Sequence, residues 1–208
     1  MKISQRATRE LLETIANTVI ENANELTDLD RAIGDADHGV NLERGFKAVL
    51  KKMDRIGALP LPEALNEVGT TLILAVGGAS GPLYGKLFAT IGKQLSATEG
   101  EFTKEELVAA CEESIKVLKA LGKSDVGQKT MLDVLVPTLD ELRAGGGKDV
   151  LKQVRERARS AAEETVPMIA RRGRASFLGE RSQGHMDPGA RSSQLIVGAV
   201  CNYLEARL

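Results

Sequence analysis

The 208-residue chain contains no tryptophan, and two tyrosines and four phenylalanines bring its aromatics to only 3 %. A core without large rings must be built from aliphatic side chains, and the recurrent Leu, Ala, Glu, Lys and Arg favour helices. Cysteine is equally scarce. Cys111 and Cys201 lie far apart, each inside an amphipathic pattern, which argues against a disulfide framework and for two reduced core residues of a cytoplasmic protein. No run of 18 apolar residues occurs, and the opening Met1-Lys2-Ile3-Ser4-Gln5-Arg6 has no apolar signal core. Neither a membrane partner nor a secretory leader is expected. Charge of one sign is missing too. The 28 Lys and Arg against 29 Asp and Glu leave a net −1, and no basic field calls for nucleic acid. Internal repeats and low-complexity linkers are absent, so residues 1–208 read as a single domain able to bury a substantial core.

What is present is helical periodicity. Leu12, Ile15, Val19, Ala23 and Leu26 form one stripe and predict a first helix. A second is expected from His38 to about Ile56, and Pro60 and Pro62 open a third. Thr103 and Glu106 make a capping box ahead of a face of Leu107, Ala110, Cys111, Leu118 and Leu121. Leu132, Leu135, Val136, Leu139 and Leu142 mark a helix kinked by Pro137, and Val150 to Ile169 a long one. Asp187-Pro188 supplies the cap and first-turn proline of the last helix, with Leu195, Ala199 and Leu204 on its face. The continuous run Thr70–Val76 resembles a buried strand, but no second strand is available to pair with it, so a buried helix is the better reading. The fold class is all-α, with about eight amphipathic helices.

Two regions break this regularity. Asp30 and the run Ile33-Gly34-Asp35-Ala36-Asp37-His38-Gly39 place three carboxylates within eight residues, interrupted by glycines. Glycine lowers helix propensity, so Asp35 and Asp37 fall on a loop where carboxylates can converge. Crowded carboxylates repel, and a divalent ion removes the conflict; oxygen-only ligands favour Mg²⁺ or Ca²⁺ over zinc. A solvated acidic turn is the bland alternative. An EF-hand is excluded: counted from Asp35, position 6 is Val40 and position 12 is Phe46, where Gly and Glu are needed. Magnesium therefore makes Asp30, Asp35 and Asp37 its candidate ligands. The second region is Val76-Gly77-Gly78-Ala79-Ser80-Gly81-Pro82, a glycine-rich turn into a helix, suited to an anion and matching neither a Walker A motif nor a GxGxxG fingerprint. His38 could be a nucleophile, a metal ligand or a hydrogen bonder to nucleotide, and the last is favoured because hard-ion sites do not need imidazole. His185 reads as a structural or lid residue. Arg171 to Met186, long and rich in Arg and Gly, reads as a phosphate-facing flap.

Taken with Gly77-Gly78-Ala79-Ser80-Gly81, Lys129-Thr130-Met131-Leu132-Asp133, Gly173-Arg174-Ala175-Ser176 and Asp187-Pro188-Gly189-Ala190, the Asp30–Asn41 segment resembles the nucleotide-binding L subunit of dihydroxyacetone kinases over nearly the whole chain. The resemblance implies an antiparallel barrel of eight helices with ADP or ATP at one end. It implies two Mg²⁺ on Asp30, Asp35 and Asp37, and phosphate contacts from His38, Gly39, Val40, Asn41, Ala79 and Ser80. Gly122, Met131, Arg174 and the segment Asp187, Pro188 and Gly189 would shape the rest of the pocket. No catalytic residue is implied on this chain beyond that metal and nucleotide site.

The chain lacks a ketone-binding K domain, so it resembles a separate subunit. His38 after Asp37 resembles the phosphotransferase-dependent branch. There ADP stays bound, a phosphohistidine donor subunit rephosphorylates it, and the phosphoryl group passes to dihydroxyacetone on a K subunit. The alternatives are an ATP-exchanging L subunit for another small ketose and a non-enzymatic Mg-nucleotide sensor that binds a regulator. A homodimer is left open.

Overall fold

Ser4, Thr103 and Asp187 end extended stretches and turn their side-chain oxygens onto the first turn of a helix. Ser4 Oγ accepts from the Ala7 amide at 3.2 Å, and Asp187 Oδ2 accepts from the Ala190 amide at 2.7 Å. At Thr103 the box is reciprocal: its Oγ1 accepts from the Glu106 amide at 3.1 Å, and Glu106 Oε2 accepts from the Thr103 amide at 2.8 Å. Each bond satisfies an amide that the helix itself leaves without an acceptor.

The computed structural model describes residues 3–96 and 101–207; Met1 and Lys2 of the opening segment lie outside them. Among the described residues the chain is all-α, with no strand. Its helices are α1 (Gln5–Glu21), α2 (Ala23–Ile33), α3 (His38–Lys51), α4 (Met53–Ile56), α5 (Leu61–Ala75), α6 (Ser80–Leu95), α7 (Lys104–Gly122), α8 (Leu132–Ala144), α9 (Val150–Glu164) and α10 (Pro188–Glu205), with a 3-10 segment at Arg174–Ser182. These exceed the expected eight because two predicted helices are broken. The first stops at Asn22, whose Nδ2 donates back to the Thr18 carbonyl at 2.7 Å, a local bond that competes with the helix. The second breaks at Lys52. Helix α9 ends at Glu164, short of the expected Ile169: Pro167 has no amide to continue the ladder, and Thr165 Oγ1 donates back to the Ala162 carbonyl at 2.6 Å. Pro137, by contrast, sits inside α8.

Burial corrects two faces. The run Thr70–Val76 is helical through Ala75, but only Thr71, Leu72 and Val76 are buried, and Leu74 is 78 % exposed. Leu121 is also half-exposed. Packing between helices is cyclic: α1 on α3, α3 on α5, then α5 through α10 each on the next, and α10 back on α1. The core formed by these faces holds Leu12, Val19, Phe46, Leu72, Tyr84 and Leu118. Both cysteines are free, and burial pushes their thiols up, Cys111 to about 12 and Cys201 to about 11. No described helix is long and apolar enough to cross a membrane.

Candidate metal and nucleotide site

The turn between α2 and α3 is organised around Asp30. Its side chain is buried in the last turns of α2, and Oδ2 accepts from the amides of Asp37 at 2.8 Å and His38 at 3.1 Å. Its carbonyl caps the helix by accepting from the Gly34 amide. A Cβ on Gly34 would fall 2.0 Å from Asp30 Oδ1, so the chain can fold back over this carboxylate only at a glycine. Ala36 then takes a left-handed φ of 61°, an uncommon conformation for a residue with a side chain. One ligand oxygen each from Asp30, Asp35 and Asp37 consequently lies within 4.8 Å of the others. Asp37 holds the cap position of α3 yet makes no side-chain cap bond, which leaves its carboxylate for a ligand. Three convergent carboxylates with no nitrogen or sulfur donor fit a hard divalent cation such as Mg²⁺. Arg174 supplies the adjacent positive charge, with Nε 2.8 Å from Asp35 Oδ2.

These carboxylates line a cleft of about 390 Å³, within the range of small-molecule sites. Of the residues expected at the site, His38, Ala79, Ser80, Gly122, Met131, Arg174, Asp187, Pro188 and Gly189 also line it. Gly39, Val40 and Asn41 do not. Gly39 is buried against α2, Val40 is half-exposed, and Asn41 Oδ1 accepts from Arg44 at 2.6 Å.

His38 is buried, and both ring nitrogens have partners within the protein: Nδ1 lies 3.1 Å from Ser80 Oγ and Nε2 lies 2.9 Å from Ser192 Oγ. Burial pushes its pKa down to about 4 against the opposing pull of Asp30 and Asp37. With both ring nitrogens engaged by serine hydroxyls, no nitrogen is free to act as a nucleophile, and the geometry fixes Ser80 at the start of α6. Ser192 continues the network to Tyr84 Oη at 2.6 Å, and Tyr84 reaches Ser193 Oγ at 3.1 Å. Burial raises the Tyr84 phenol to about 12. Asp187 turns inward: its amide donates to Thr165 Oγ1 at 3.1 Å, and burial raises its carboxyl to about 7.

Sequence reasoning left Leu83, Tyr84, Ser124, Lys129 and Thr130 out of the expected site, yet all line the cleft. Asp133 holds the Lys129–Met131 turn from behind, its carboxylate accepting from the amides of Gly127 at 2.5 Å and Thr130 at 2.7 Å. The only sequence signal for this group was the Lys129–Asp133 motif itself.

A model of the DAK2 domain matches residues 32–202. Asp30 falls just upstream of the match, and its place in the site rests on geometry. The chain is 44 % identical over 172 residues to the "PEP-dependent dihydroxyacetone kinase, ADP-binding subunit DhaL" of Escherichia coli (strain K12), covering 80 % of this chain and 81 % of that protein. It is 39 % identical over 189 residues to the corresponding subunit of kinase 1 from Listeria innocua serovar 6a, covering 91 % of each. The crystal structure of the dihydroxyacetone kinase from C. freundii in complex with AMP-PNP and Mg²⁺ shares the fold, with a TM-score of 0.73 at 23 % identity, over 97 % of this chain and 34 % of that one. On the matched residues and these relatives, the chain belongs to the DAK2 domain family, in the group of dihydroxyacetone kinase L subunits.

Proposed function

We propose that this chain is the ADP-carrying phosphoryl-transfer subunit of a multi-subunit dihydroxyacetone kinase. The observation that carries the reading is the convergence of Asp30, Asp35 and Asp37 on a cleft that also holds the Ala79–Ser80 turn. Asp35, Asp37 and Asp30 would hold two Mg²⁺, which when bound offset phosphate charge and stabilise the transferred phosphoryl group. Ala79 and Ser80, at the N-terminus of α6, present the helix end that favours anions. Met131 and Gly189 sit against one another, where a Cβ on Gly189 would lie 3.5 Å from the Met131 amide, and they form an apolar wall suited to the base. Arg174 is placed to follow charge between Asp35 and the terminal phosphate. The cyclic helix packing supports an antiparallel barrel with this site at one end.

In this reading the phosphoryl group arrives from a phosphohistidine donor subunit and leaves to dihydroxyacetone on a K subunit. ADP stays on the chain as a coenzyme. Native mass spectrometry of the purified protein tests it: the expected mass is the chain plus one ADP and two Mg²⁺. A nucleotide-free chain that binds only added ATP would assign it to an ATP-exchanging kinase instead.

A further inference from the structure

Lys129 is the only buried lysine or arginine among the described residues, at 1 % exposure. Its partners are carbonyl oxygens, not carboxylates. Nζ donates to Thr165 O at 2.7 Å, Met168 O at 3.1 Å and His185 O at 2.5 Å, with Val166 O at 3.4 Å. Three N–H groups thus meet three close acceptors and a fourth more distant one. Burying an ammonium is unfavourable unless every N–H is accepted; here carbonyl oxygens accept them, and Asp187 and Asp133 act on Nζ through charge without accepting a bond. Burial lowers the Lys129 pKa against the opposing pull of Asp187 and Asp133.

The four carbonyls have a shared topological meaning. Thr165, Val166 and Met168 lie where the chain leaves α9 for the Arg171–Met186 flap, and His185 lies where it returns to α10. Backbone bonds tie the same stems: Gly184 N–H to Val166 O at 2.8 Å, and Arg171 N–H to Gln128 O at 3.1 Å. Between the stems the flap carries Arg174 to Asp35, and beyond them Asp187 begins α10. Lys129 itself projects from a turn pinned by Asp133, with φ at 61°.

We propose that Lys129 is a positioning residue that staples the two stems of the Arg171–Met186 flap, setting Arg174 over the carboxylate cluster and Asp187–Gly189 against Met131. The ammonium acts through the backbone and donates to none of the ligand's atoms. The staple itself stands on the geometry; its consequence for nucleotide rests on the reading of the cleft given above.

The test compares full-length wild type with Lys129→Ala. Trypsin should cut the variant within the flap, at Arg171, Arg172, Arg174 or Arg181, about tenfold faster or more, while its helical signal still unfolds in one transition. Methylammonium, which carries three N–H donors into the vacated space, should restore resistance and Mg²⁺-dependent ADP affinity together. Tetramethylammonium, with the charge but no donor, should restore neither. Equal rescue by both salts, or weakened ADP binding with an uncut flap, overturns the proposal. If the variant does not fold, hydrogen exchange on wild type decides: the Arg171 and Gly184 amides should exchange as slowly as core helix amides, and loop-like rates overturn the staple. A wild type that binds no ADP would defeat the functional reading and leave the cleavage and exchange results to judge Lys129 alone.

Discussion

At the scale of single residues, the site is a contest over where negative charge is stable. Asp35 is partly exposed, faces Arg174 and shares its ligand space with two other carboxylates. Asp35→Asn keeps the shape and removes one charge, so Mg²⁺-dependent ADP binding should collapse. The readout is thermal: ADP at about 100 times its Kd adds roughly 2.7 kcal/mol, about 5–10 °C for a chain this size. That shift should need Mg²⁺ in the wild type, vanish in EDTA, and be absent from the variant. An undiminished shift in Asp35→Asn would remove the triad from phosphate binding. Asp187 has the opposite problem. Burial raises its pKa from the ordinary carboxylate value to about 7, so between these values the folded chain holds a proton that the unfolded chain releases. Stability from this group is therefore complete below about pH 4 and is lost as pH rises toward 7. Asn at 187 keeps a cap acceptor without ionising. In nucleotide-free urea unfolding, Asp187→Asn should gain on wild type by on the order of 1 kcal/mol per pH unit across that window. A flat difference would mean that Asp187 is ionised in the fold. The aspartates were legible in the sequence because they cluster along it. Lys129 was not, because its partners are backbone carbonyls 36–56 residues away, to which no residue type gives a clue.

At the scale of elements, periodicity located nearly every helix and misjudged their ends and faces. The stripe from Leu12 to Leu26 crosses a break at Asn22 because an apolar pattern does not register a side chain bonding back to its own helix. Leu74 and Leu121 fit the patterns but face solvent, since hydrophobicity alone does not say whether a neighbour is present. The close approach of α5 and α6 was also invisible. A Cβ on Gly69 would fall 2.5 Å from the Gly85 carbonyl oxygen and 2.7 Å from the Ala89 amide, both backbone atoms that cannot yield. Gly198, inside α10, would meet only Gln194 Nε2 at 3.8 Å. Alanine has a helix propensity advantage of about 1 kcal/mol over glycine at either position. Overpacking costs about 1–3 kcal/mol and wins only at Gly69. Gly69→Ala should lower the melting temperature and Gly198→Ala should raise it, each by a few degrees. Two changes of the same sign would refute the helix contact.

At the scale of the whole molecule, the decisive fact is how little room the chain gives to a second substrate. The cleft of about 390 Å³ suits one small ligand. Its two histidines are His38, bonded on both nitrogens, and His185, whose carbonyl accepts from Lys129. The His38 ring thus has no free nitrogen for a ketone, and His185 is absent from the cleft lining. Phosphoryl transfer needs donor and acceptor oxygens in line at close range, so under the proposed function another protein brings the ketone to the mouth of the cleft. The exposed large hydrophobics Val40, Ile73, Leu74, Leu121, Val126, Ile169 and Phe177 each lie no more than five residues along the chain from one that lines the cleft. Phe177, on the flap just past Arg174, is 88 % exposed. A large exposed ring on the segment that carries cleft residues is suited to be an anchor for a partner. The purified chain alone should therefore form no dihydroxyacetone phosphate, and turnover should appear with a K subunit and a phosphohistidine donor at substoichiometric ADP. Phe177→Ser should reduce that turnover about tenfold through weaker docking, as expected for an aromatic anchor, while leaving the Mg²⁺-dependent ADP shift intact. Product from the chain alone would end the division of labour. An unaltered Phe177→Ser complex would move the docking face away from the flap, leaving Arg174 to act on phosphate without a partner's surface closing over it.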